Sequence, residues 1–361
     1  MIELVRSWYY RYFSDPQAMI LTAVLVIGAT IILTMGDMLL PVLASIVIAY
    51  LLEGVVRKMQ QHGSTRLTAV ILVFIIFLAF LTFLIFGVAP VVSIQLSDLF
   101  KELPRYLSAG QQLLLQLPQN YSFVSEQQVT ELIELINREI TGMGSHIVSL
   151  SLSSIPGLIT LAVYIFLVPM LVFLFMKDKE RIWKWFGSML PTDRILVSQV
   201  SDEMDLQLGK YIRGKFWEIM VVGVVTYIGF AILGIKYAIL LSVLVGLSVL
   251  VPYIGAAVVT IPVVLIAFFQ WGWTNEFFWL IGFFGVSQAL DGTVLVPWLF
   301  SGLVNIHPIA IIVSVLVFGG LWGFWGVFFA IPLATLVSAV IHAWPRIDSA
   351  PDTDTEADIV L

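Results

Sequence analysis

The residues with most chemistry to offer sit in the most apolar part of the chain. Asp291 lies within Phe277–Phe300, a run with no other charged residue. A carboxylate at that depth in a membrane is costly unless it is paired, hydrated or protonated, so it marks a proton or cation site, or a polar contact for a substrate hydroxyl. Gln288, one turn earlier, shares its helical face. The structural reading stands beside this one: Asp291 could cap or hydrogen-bond the broken backbone of a neighbouring segment. Asn305 and His307 follow in Gly302-Leu-Val-Asn305-Ile-His307-Pro308. An imidazole can titrate near neutral pH, and before Pro at a helix start it also serves as a cap. Tyr253, in Pro252-Tyr253-Ile254-Gly255, sits where a helix must break, so its hydroxyl could meet a substrate. Pro252 and Gly255 mark one helix break, and Gly319 and Gly320 mark another, although glycines there could equally permit close helix packing.

These residues do not assemble into an enzyme. The chain contains no H-E-x-x-H, G-x-S-x-G, Walker A or G-x-G-x-x-G sequence. No catalytic set, no resident metal and no cofactor are expected. With no cysteine there is no disulfide, no thiolate nucleophile and no Cys-based metal or iron–sulfur site.

The elements that must position these residues follow from composition. Of 361 residues, 60% are hydrophobic and 12% charged, with a mean hydropathy of +1.00. Ordinary soluble domains are about 45–50% apolar and about 25% charged. A formal net charge of −6 excludes a nucleic-acid binder, which wants a basic surface. From Ile219 to Pro345 only Lys236, Glu276 and Asp291 are charged. Long neutral segments between charged blocks are the pattern of an all-α, polytopic helical membrane protein. Met1–Pro16 is aromatic and of mixed charge, unlike a cleavable signal peptide.

Apolar length predicts spans at Ala18–Met35, Met38–Leu52, Leu67–Val92, Ile155–Met176, Ile219–Ile235 and Phe277–Phe300, the first two joined by a tight Gly36-Asp37 turn. Tyr237–Gln270 and Ile309–Trp344 are long but broken by Gly and Pro, as re-entrant hairpins or pairs of full spans. Lys/Arg-rich loops at the N-terminus, 53–66 and 177–218 belong inside, and the poorer 93–154 loop outside. Both termini are then cytoplasmic, with six to ten crossings between them. The expected organisation is N-terminal transmembrane helices over 1–92, an extracytoplasmic amphipathic helical segment over 93–154, a transmembrane helix over 155–176, a cytoplasmic amphipathic segment over 177–218 ending near Arg213, a C-terminal transmembrane core with two broken hairpin-like segments over 219–345, and a disordered acidic tail over 346–361. The apolar faces within 94–147 need a partner: each other, a neighbouring subunit, the membrane surface or an extracytoplasmic protein.

A weak internal repeat runs through the core. Ser242-Val-Leu-Val245 recurs as Ser314-Val-Leu-Val317, Gly255 as Gly326, Ile261-Pro262 as Ile331-Pro332, and Lys236 is matched by His307, at offsets of 70 to 72 residues. Paired interrupted helices in corresponding positions are the best sequence pointer to a transporter site, because unwound backbone is tolerated in a membrane only where it is buried in protein or lines a cavity.

An ordered set of motifs then carries a resemblance. Lys177-Asp178, Leu190-Pro191, Tyr211-Ile-Arg-Gly214, Pro252-Tyr-Ile-Gly255, Ile261-Pro262, Gln288-x-x-Asp291, Pro297, His307-Pro308 and Phe318-Gly-Gly-Leu-Trp-Gly-Phe-Trp-Gly-Val-Phe-Phe-Ala-Ile-Pro332 together resemble the autoinducer-2 exporter family of permeases over residues 1–345. The resemblance implies a multi-pass protein of the bacterial inner membrane. It also implies a homo-oligomer, a pentamer with elevator-like motion in the exporter type. The function it implies is export of a small polar molecule like autoinducer-2, with sodium/proton antiport as the alternative and a scaffold recruiting an extracytoplasmic protein through 94–147 as the second alternative. The partners are the lipid bilayer, a second copy of the chain, and a small-molecule or ion substrate. Gly292 follows Asp291 where many members of that family carry Asn, so any site using that Asn differs here.

Overall fold

The computed structural model describes residues 16–120, 127, 130–131, 133–135, 154–189, 195–252, 254–300 and 307–343. Among them there is no strand, and seven helices are long and apolar enough to cross a membrane. The all-α, polytopic expectation is met. Tyr253 and Asn305 lie outside the described residues, as do most of 121–153 and the tail from 344.

The helices in chain order are α1 (Pro16–Gln61), α2 (Arg66–Phe83), α3 (Ala89–Asn120), α4 (Ser154–Lys177), α5 (Lys179–Met189), α6 (Ile195–Leu233), α7 (Ala238–Ser248), α8 (Ile254–Trp271), α9 (Asn275–Leu290), α10 (Val296–Leu299), α11 (Pro308–Phe328) and α12 (Ala330–Ala343). Short π-helical stretches, Leu84–Val88 and Asp291–Leu295, join α2 to α3 and α9 to α10. Two expectations are corrected. No turn forms at Gly36-Asp37: α1 runs through as one 46-residue helix. Gly or Asp inside a helix costs at most about 1 kcal/mol, so the helix runs through, while Met19–Gly36 and Met38–Gln61 within it still count as two of the seven apolar stretches. Likewise the helix expected to end near Arg213 continues unbroken through α6 into the adjoining span.

The chain divides into two compact units. The first comprises residues 1–40, 179–212 and 302–361. Its core is Leu21, Leu196 and Val200, packed with Leu25, Met204, Leu336 and Val340. The Gln17 Oε1 accepts from the Leu196 N–H at 3.1 Å, satisfying a free donor in the first turn of α6. The Tyr211 hydroxyl donates to the Phe328 carbonyl at 2.9 Å, doing the same for an acceptor at the end of α11.

The second unit comprises 41–178 and 213–301. One cluster, around Val56, Val70, Val73, Val172 and Met176, joins α1, α2 and α4. At its edge the Arg66 guanidinium pairs with Glu53 at 3.3 Å and donates to the Met176 carbonyl at 2.7 Å. The 53–66 turn and the basic end of α4 therefore share one end of this unit, in keeping with their positive charge. A second cluster, around Phe230, Leu241, Val245, Val263, Leu280 and Phe284, joins α6 to α9. The first amphipathic stretch expected outside is not separate. It is α3, a continuation of the preceding span, and its partner is the base of the α7–α8 hairpin. Gln95 Oε1 accepts from the Leu240 N–H at 2.8 Å, Tyr106 stacks on Phe269 at 5.0 Å, and Glu102 pairs with Lys236 at 3.3 Å.

Candidate functional site

The α7–α8 segment folds back on itself as a helical hairpin. Gln270, at the end of α8, donates to the Gly234 carbonyl at 2.9 Å and accepts from the Lys236 N–H at 2.7 Å, so the hairpin leaves and returns side by side. Its outward limb α7 has 11 residues. At ~1.5 Å per residue that is about 16 Å, too short for a hydrocarbon core of about 30 Å. Its tip, residues 249–252, is non-helical backbone, the kind that within a membrane must be buried or line a cavity.

The tip closes on itself at Gly255. A Cβ there would lie 1.8 Å from the Ser248 carbonyl oxygen, so only glycine allows the two limbs to meet this closely. In the first unit, Gly326 makes the corresponding approach: its Cβ would lie 1.8 Å from the Phe318 oxygen. Ser242 Oγ donates to Ala238 O at 2.6 Å, and Ser314 Oγ to Ala310 O at 2.7 Å. The internal repeat is thus a repeat of local structure, with each half folding a broken helix back over one glycine. In the second half the break falls at Gly323, with φ 57° and ψ −133°, while Gly319 and Gly320 sit in the helical turns before it.

Sequence reasoning does not single out what holds the first tip. The Lys215 ammonium donates to the Val249 carbonyl at 2.7 Å and pairs with Glu218 at 2.8 Å. Both side chains are almost wholly buried, 6% and 3% exposed, which for a charged pair is tolerable only with partners on both sides. Lys215 also lies over the Phe300 ring, 5.4 Å from its centroid. In sequence the pair reads as the end of a solvated cytoplasmic block. The available signal is its i, i+3 spacing against Ile219, the first residue of a neutral span.

Asp291 stands within electrostatic reach of both Lys215 and Glu218. It opens the π-helical stretch, where the wider turn offsets it from the α9 ladder. Its Oδ1 is buried and has no hydrogen-bond partner among the described residues. It lines a groove of about 320 Å³ with Phe283, Ser287, Leu290 and Trp298. Ser287, not Gln288, supplies the other polar group on that wall. Pro252 is half-buried at the tip. His307 belongs to the first unit, where its Nδ1 accepts from the Ile309 N–H at 3.3 Å as the cap of α11. It also edges a separate groove of about 450 Å³ with Ser314 and Ser338.

A buried ion pair at a hairpin tip and a carboxylate with a buried, unpartnered oxygen among the described residues thus belong to one unit, and comparison with known proteins gives the chain a family. The sequence profile described as "AI-2E family transporter" matches residues 19–346. The chain belongs to the AI-2E transporter family. Among its relatives in that family, the Escherichia coli K12 protein named "Putative permease PerM" is 46% identical, over 96% of this chain and 98% of its own length. The Bacillus subtilis protein named "Putative transport protein YueF" is 26% identical over 85% of this chain and 84% of its own. The resemblance read from the motifs is thereby shown. This AI-2E family member is a multi-pass membrane protein among permeases and transport proteins.

Proposed function

We propose that the protein is a secondary transporter of the bacterial inner membrane that exports a small polar solute, of the size class of autoinducer-2. The observation that carries this reading is the α7–α8 tip. Its unwound backbone accepts from Lys215, itself paired with Glu218 and within electrostatic reach of Asp291, and a tip held by polar contacts can exchange them for a solute's. Alternating access then means that the tip and its groove face one side of the membrane and then the other. The basic end around Arg57, Lys58, Arg66 and Lys177 is cytoplasmic, and the Glu102–Lys236 end is extracytoplasmic. Copies of the chain assemble in the membrane through the exposed apolar faces of their helices.

The test is efflux of autoinducer-2 from proteoliposomes, with internal pH followed under a sodium gradient. Saturable efflux without sodium-driven proton movement is the expected result. Sodium-driven proton movement that Asp291→Asn abolishes, with no solute efflux, would overturn it in favour of antiport.

A further inference from the structure

The charges around the hairpin tip do not balance. Lys215, Glu218 and Asp291 carry +1, −1 and −1, a formal sum of −1. The Lys215 ammonium is already committed to Glu218 and to the Val249 carbonyl. Asp291 Oδ1 is left buried and unpartnered among the described residues. Among the described residues the groove beside it is walled by Val225, Phe283, Val286, Leu290 and Trp298, and apart from the Trp298 indole its polar side chains are Ser287 and Asp291.

Three classes of occupant fit poorly. A polyol would lose its hydration against valine and leucine walls with too few groups to replace it. A bare divalent cation wants six or more oxygen ligands, and the described residues hold no group of three or more His, Cys, Asp or Glu. A neutral apolar molecule would leave the carboxylate as it is. A small ammonium with an apolar body satisfies both features: its charge meets Asp291, its body covers the aliphatic wall, and the Phe283 and Trp298 rings favour a cation over their faces. At ~30 Å³ per water-sized group, 320 Å³ holds about ten non-hydrogen atoms.

We propose that the groove beside Asp291 binds a small organic ammonium of about this size, with its nitrogen against the Asp291 carboxylate and its apolar part against Val286, Leu290 and Trp298. The proposal goes beyond the transport reading and rests on it for the fate of the bound molecule: this groove takes a cation, while the exported polar solute is met by the polar contacts of the tip.

The test is equilibrium binding, without flux. Radiolabelled benzyltrimethylammonium is titrated against the full chain in lipid nanodiscs, with empty nanodiscs subtracted. Neopentylbenzene, the same shape without the charge, serves as competitor. Saturable binding is expected, with the neutral isostere competing at least about tenfold more weakly, because it lacks the charge that the carboxylate and the ring faces attract. Asp291→Asn should weaken binding by about the same factor, and Asp291→Glu should largely restore it. Val225→Trp, which fills the groove and leaves the carboxylate in place, should abolish it. The proposal is overturned by equal competition from the isostere, by an Asp291→Asn protein that melts like wild type and binds like it, or by no saturable binding to folded wild type. If Asp291→Asn does not fold, the isostere and Val225→Trp decide. Binding without autoinducer-2 efflux sinks the transport reading alone, and efflux without binding sinks this one alone.

Discussion

At the scale of residues, the Lys215–Glu218 pair makes the sharpest prediction. Breaking a buried pair strands the remaining charge, whereas replacing both partners by apolar groups is often neutral. Lys215→Met should therefore lower stability by about 3–5 kcal/mol, and Lys215→Met/Glu218→Leu should recover most of that loss. Thermal melts of the purified protein in one detergent read both. If the single and double variants melted alike, the pair would not be a coupled clamp. His307 has a humbler part. As the α11 cap it should be replaceable by Asn, while His307→Ala should cost about 0.5–2 kcal/mol in the same melt. These two cases show why residue type alone misleads. A histidine before proline and a Lys–Glu pair beside a span look equally polar in sequence. One is exposed at a helix start and the other is buried against a carbonyl 34 residues away.

At the scale of elements, the hairpins depend on two glycines. Gly255→Ala and Gly326→Ala each place a methyl 1.8 Å from a carbonyl oxygen, so backbone must move in both halves. Each should destabilise by about 1–3 kcal/mol, the usual cost of overpacking. Gly282→Ala, on the open side of α9 with nothing within 4 Å, should be neutral or slightly stabilising, as alanine is the better helix former. Equal melting of all three variants would mean that the limbs do not meet at these glycines. The repeat that predicts this pairing is visible as recurring Ser, Gly and Ile-Pro at near-constant offset. The position of the second break is not, because Gly319, Gly320, Gly323 and Gly326 are alike in sequence and only the backbone shows which of them leaves the helix.

At the scale of the whole molecule, the proposed orientation puts the basic and mixed ends of the second unit on opposite sides of a bilayer. Arg66 opens α2, and the helical path from it to Glu102 is about 54 Å long at ~1.5 Å per residue. The chain has no cysteine, so single-cysteine variants need no background correction. Lys101→Cys should react with an impermeant maleimide in intact cells. Lys58→Cys should react only after the membrane is opened. Reaction of both from outside would refute this orientation.

The sequence by itself determined that the chain crosses a membrane many times as helices, because neutral apolar length leaves the backbone no other way to satisfy its hydrogen bonds. It also singled out Asp291, because a carboxylate in such a run always needs an explanation, and it marked the paired breaks at Gly and Pro. Tertiary structure alone decided the rest: that Tyr237–Gln270 folds back with its two ends side by side, that α3 packs on its base, that Gly36-Asp37 is no turn, and that Lys215, paired with Glu218, reaches the tip. Each of those depends on which distant groups meet, such as Gln270 with Gly234 and Lys215 with Val249. Periodicity and composition report what one stretch prefers, whereas a buried charge is settled by partners brought from elsewhere in the chain.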